Sequence, residues 1–147
     1  MSDMSALATQ YNQLMAITDD VNDSVKLIVK SELAQENPQM KQLANFNFKP
    51  EQIAKAKDKL TVLLRTLLHL VTNELTSAPL LELPNVIVED YHSRLKDVKL
   101  QQEFRNLLKA IEEDEPIGKM YQRVLEEIVT TLDTDRRQFY RKLRARR

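Results

Sequence analysis

Cysteine and tryptophan are absent from the 147 residues, and there is a single glycine. Without cysteine there is no disulfide, no thiol nucleophile and no thiolate metal site, a composition suited to a reducing compartment. One glycine cannot build the loops that cradle phosphates. Two histidines, His69 and His92, leave little from which to assemble a metal site. No Val/Ile/Thr/Tyr segment alternates over any length, so strand content is expected to be close to nil. No apolar run approaches the roughly 20 residues that cross a bilayer. The start, Met1-Ser-Asp-Met-Ser-Ala, has neither the basic nor the apolar region of a secretory signal, and the expectation is a cytoplasmic protein.

What is present favours helices: 30% charged residues and apolar residues recurring by three and four. The most apolar stretch runs from Leu60 to Val71 and leaves only a narrow stripe of Asp58, Thr61, Arg65, His69 and Thr72. A helix apolar over most of its girth belongs in the middle of a bundle, and covering it takes two or three amphipathic helices. The predicted fold is all-α, an antiparallel bundle of four long helices with a short helix between the first and second. It is read as one domain over residues 1–147, with a basic segment at 136–147.

The first helix is expected from Asp3 to Gln35, with a heptad-like seam of Met4, Leu7, Tyr11, Leu14, Thr18, Val21, Val25 and Ile28. Such a seam serves an intramolecular bundle, or pairing with a second copy. Asn37-Pro38 starts the short helix to Ala44 as cap and first residue, and Phe46 and Phe48 are expected to plug one end of the bundle from a loop rather than to stack on nucleic-acid bases, since only Lys41 and Lys49 supply positive charge nearby. Pro50 opens the central helix, expected to reach Thr76. The segment Ser77 to Pro84 is a connection packed down by Leu80, Leu81 and Leu83.

A third helix, Asn85 to Glu113, carries one stripe of Val88, Tyr91, Leu95 and Val98 and another of Phe104, Leu107, Leu108 and Ile111, with a bend near Gln101 and Gln102. The acids before Pro116 complement the start of the fourth helix, expected from Ile117, with Gly118 in its first turn and Met120 on its apolar stripe.

Glu89-Asp-Tyr-His92 is a Glu-x-x-His, one element of a di-iron bundle site, but Thr66 stands where a matching motif on His69 needs Glu. Neither a metal, a cofactor nor a catalytic nucleophile is expected, and the chain is read as non-enzymatic. Arg65 and His69, four apart on one stripe, are a candidate polar site. The strongest compositional feature is the end of the chain. Seven of the 22 basic residues, and no acid, fall in 136–147. Arg137, Arg141, Arg144, Arg146 and Arg147 are the candidate contacts to nucleic acid or an acidic partner. Two structural readings compete: cations at a helix C-terminus complement its dipole, and antiparallel counting puts Arg137, Tyr140 and Arg141 opposite Glu89, Asp90 and His92, where the arginines form internal ion pairs. A membrane anchor is disfavoured, because the tail's apolar side continues the core stripe.

The function expected is therefore protein–protein interaction through a helix face, with another protein or a second copy as partner. Nucleic-acid binding by the arginine-rich end is the alternative.

Overall fold

The computed structural model describes residues 2–43, 46–72 and 80–145, apart from the side chains of residues 2–4 and 41. Among these there is no strand, and the predicted helical bundle is what the chain forms. Its helices are α1 (Ser2–Glu36), α2 (Pro50–Thr72), α3 (Asn85–Arg94), α4 (Val98–Glu112) and α5 (Gln122–Ala145), with a 3-10 helix at Pro38–Gln42. Helix α1 packs along both α2 and α5, α3 bridges α2 and α5, and α4 lies on α2.

Helix α2 is the centre, as its composition requires: Leu60, Leu63, Leu64, Leu67 and Leu68 are buried while Arg65 is exposed. The seam of α1 closes on this chain's own core. Leu14, Thr18, Val21 and Ile28 are buried, with Leu7, Tyr11 and Val25 against the cluster; the seam residue Met4 lies outside the described side chains. Small residues Ser24, Ser31 and Ala34 continue the buried stripe to the end of the helix. Ser31 and Thr18 satisfy their hydroxyls by donating to carbonyls one turn back. Asn37 caps the 3-10 helix by accepting from the Gln39 N–H at 3.3 Å.

Four expectations are corrected. The third helix breaks at Leu95–Asp97 rather than at Gln101 and Gln102. Asp97 accepts from the Lys99 N–H at 2.9 Å and starts α4 as an N-cap, which outweighs continuing α3. The new phase puts Ile87 in the core and leaves Val98 74% exposed. Helix α5 starts at Gln122, so Gly118 is a buried loop residue and Met120, 70% exposed, is off the core stripe. Of the leucines before α3 only Leu83 packs on the core; Leu80 and Leu81 stay 39% exposed. The rest of that connection and the expected end of the second helix, residues 73–79, lie outside the described residues.

What ties the described part of the connection down is a polar group. Thr66, 3% exposed inside α2, donates to the Val62 carbonyl and accepts from the Leu81 N–H at 3.0 Å. Thr66→Val keeps the volume but leaves that N–H without an acceptor. The expected cost is about 1–2 kcal/mol in urea denaturation, with Thr66→Ser near wild type.

Candidate functional site

Between the C-terminal half of α1 and the start of α5 lies an open groove of about 590 Å³. Val25, Val29 and Leu125 form its floor, and Leu33 and Pro116 its walls. A second hollow of about 330 Å³ continues it past Pro116 to Met120. Leu33 and Met120, 42% and 70% exposed, add open apolar surface to the two hollows. Lys26 and Lys30, one turn apart, stand on the α1 rim with Lys119 at one end; Gln122 and Glu126 form the α5 rim and Glu36 stands beside Lys119.

One end of the groove is built by Glu32. Its two carboxylate oxygens accept from the backbone N–H groups of Ile117 and Gly118 at 2.7 and 2.6 Å, holding the α4–α5 loop against α1. A Cβ on residue 118 would lie 2.7 Å from Glu32 Oε2, so glycine is what lets the backbone come this close. The loop is also held from α2, where Lys57 meets Asp114 at 2.9 Å. Asp114 sits at φ 58 just past the α4 C-terminus, and Lys57 keeps its carboxyl below the usual range. These bonds occupy both oxygens of Glu32 but leave its negative charge in place at that end of the groove, whose floor is apolar.

A polar cluster joins α3 to α5. Asp135 is only 5% exposed, its Oδ2 has no hydrogen-bond partner, and it faces Asp90 closely enough to share a proton. Burial, then the Asp90 charge and this hydrogen bond, push the Asp135 carboxyl up to about 7, against the pull of Arg94. Arg94 itself pairs with Asp90 at 3.0 Å and reaches Glu127 at 3.7 Å. The Tyr91 hydroxyl lies buried beside Thr131 without a well-formed hydrogen bond, and burial raises its pKa.

The arginines take different places. Arg137 does not meet Glu89, Asp90 or His92. It bridges Asp133 on its own helix at 3.1 Å, beside Arg136 on the same carboxylate at 2.7 Å. The long loop before α5 and the break before α4 shift the register, so Asp135 rather than an arginine is opposite Asp90. Arg141 is exposed, and Arg144 lies over the Tyr140 ring at 5.8 Å. Arg146 and Arg147 lie outside the described residues. Arg65 is exposed and His69 half-buried on α2, away from the groove lining; Glu89 and His92 are exposed on α3. Among the described residues no three His, Asp or Glu side chains gather as metal ligands, and no helix is long and apolar enough to cross a membrane.

Val29, Leu33, Glu32 and Asp135 are the residues that sequence reasoning missed. For Asp135 a signal existed, since it falls on the apolar stripe Ile128, Leu132, Phe139. Val29 and Leu33 likewise repeat by four from the seam residue Val25. Glu32 had none, because its partners are backbone groups 85 and 86 residues away.

Compared with protein-family models, with curated proteins and with solved structures, the chain matches none.

Proposed function

We propose that this protein is a non-enzymatic interaction module that takes an amphipathic helix of another protein into the groove between α1 and α5. The observation that carries the reading is the apolar floor of Val25, Val29 and Leu125, continued by exposed Leu33 and Met120. α1 and α5 run antiparallel, and an apolar groove between two helices is filled by a third through anchors at i, i+3, i+4 and i+7. The charged residues of the lining, Lys26, Lys30, Lys119, Glu36 and Glu126 among them, ring an apolar floor, the pattern of an amphipathic partner's seat. Rim charge specifies the occupant further: Lys26 and Lys30 on α1 favour a helix carrying acidic residues one turn apart on that flank.

The test uses two labelled peptides of about 16 residues, long enough to be helical when docked. Both carry leucines at i, i+3, i+4 and i+7. One has a pair of glutamates on one flank and the other has lysines there. The glutamate peptide is expected to bind at least about 10-fold tighter, and Leu33→Asp to abolish binding, because an aspartate in that wall would be desolvated by the docked helix. Failure of both peptides to bind, or binding indifferent to Leu33→Asp, removes the reading. If sedimentation instead shows a dimer that Leu33→Asp dissociates, the groove belongs to a second copy.

A further inference from the structure

The far end of α5 carries a surface the groove does not use. We infer that it binds single-stranded nucleic acid, with Tyr140 as the platform for a base and Arg137, Arg141 and Arg144 as contacts to phosphates. The three arginines fall at i, i+4 and i+7, one stripe about 10 Å long. All three are exposed. Arg137 shares a single carboxylate, Asp133, with Arg136, so the pair of arginines keeps a net positive charge.

An arginine stripe alone would fit any anion. What narrows the ligand is the aromatic ring set into its edge. Tyr140 is 44% exposed although it contacts another ring. Tyr11 holds it in place from α1 at 5.6 Å and stacks in turn with Phe139 at 6.2 Å, Phe139 being core. The platform is thus fixed from behind by buried structure. Arg144 lies over the ring at 5.8 Å, and its long side chain can swing from there to a phosphate. Ring and guanidinium together are the components that hold unpaired bases: stacking that is indifferent to base identity, and cations along the backbone.

The surroundings are compatible with a polyanion. Flanking α1 carries no charged residue from Ser5 to Thr18, and α5 has no acid after Asp135. Outside 136–147 the chain carries 15 basic against 22 acidic residues, and Asp133 stands on the same helix one turn before Arg137, a charge balance that disfavours a long duplex.

Fluorescence anisotropy of labelled oligothymidylate and oligouridylate, each about 12 nucleotides long, tests the site on the full chain. Binding is expected to weaken with a log–log salt slope of about −2, the value for three neutralised phosphates on a single strand. Tyr140→Leu, which keeps an apolar group against Tyr11, is expected to weaken binding about 10-fold, while Tyr140→Phe retains it. Arg141→Glu with Arg144→Glu is expected to abolish it. The thymidylate and uridylate arms show whether DNA, RNA or both are held. Absence of binding at low salt, survival of binding in the charge-reversed protein, or equal binding by the Tyr140→Leu protein overturns the inference. So does equal affinity for a duplex or for polyglutamate, which would mark a plain cationic patch. The groove variant Leu33→Asp is expected to bind the oligonucleotides as wild type, so the two surfaces fail or succeed separately.

Discussion

Asp135→Asn is expected to make the bundle more stable at pH 8, by about 2 kcal/mol, and to remove most of a pH dependence that the wild-type protein shows between about pH 4 and 7. The Asp135 carboxyl ordinarily titrates at 3.8 and is pushed up to about 7 here. Between those values the folded chain holds a proton that the unfolded chain has released. Raising the pH through that window therefore favours unfolding. The penalty is absent below the unfolded value and complete above the folded one, with an upper limit of about 4 kcal/mol for a shift of this size. Asparagine is isosteric and uncharged, and its amide can donate to Asp90 where the protonated acid did. Part of the gain is offset by the amide's own burial, hence the smaller figure. Asp90→Asn removes the opposing charge but leaves burial, the larger cause, and is expected to recover less; it also takes away the partner of Arg94. Denaturant titrations of the three proteins at pH 5 and pH 8 decide the matter. Wild-type stability that does not fall relative to Asp135→Asn over this interval would show that Asp135 is ionised at no cost, with water or a counter-charge beside it.

That aspartate also marks where reading the chain stops being enough. Helix content, the central place of Leu60 to Val71 and the cap at Asn37 follow from periodicity and local chemistry, both of which act within a few residues. The break before α4 is also local, since Asp97 is a good N-cap, but it competes with a helical pattern that runs through it. A capping hydrogen bond and a continued apolar stripe differ by about 1 kcal/mol, and tertiary packing decides between them. Register across the bundle is another matter. Antiparallel counting from a turn near Asp114 places Arg137 opposite Asp90, yet the nine residues from Glu113 to Tyr121 form a loop pinned to α1, and Asp135 arrives there instead. The groove was legible only as loose ends: Val29 and Leu33 lay beside a seam already assigned, and Met120 on a stripe it does not join. Its lining comes from α1, from α5 and from the loop between α4 and α5, so it forms only once that loop is in place.

The loop's position depends in turn on Glu32 and Gly118, which are expected to behave as one unit. Glu32→Ala removes both acceptors of the Ile117 and Gly118 N–H groups. Charge-assisted hydrogen bonds of this kind contribute about 1.5–3 kcal/mol each when buried. Here the carboxylate is half-buried and water can replace it in part, so the expected loss is about 2–4 kcal/mol for the pair. Gly118→Ala is expected to cost about 1–3 kcal/mol for a different reason. The backbone at residue 118 is not in a left-handed conformation, so an alanine there suffers no intrinsic strain. Its Cβ, however, would sit 2.7 Å from Glu32 Oε2 and 3.2 Å from Val29 Cγ2. Either the carboxylate backs away from the N–H groups it serves, or the loop lifts off α1. With Glu32→Ala already in place the closer of these contacts is gone, and adding Gly118→Ala should cost less than it does in the wild-type protein. A double-mutant cycle in urea is thus expected to show a coupling energy of about 1 kcal/mol or more. Strict additivity would mean that the methyl group is resisted by Val29 and the α1 backbone instead, and that Glu32 does not set the approach of the loop. Because the same loop forms one wall of the groove, Glu32→Ala is also expected to weaken docking of the glutamate-flanked peptide without touching Leu33, Val29 or any lysine of the rim.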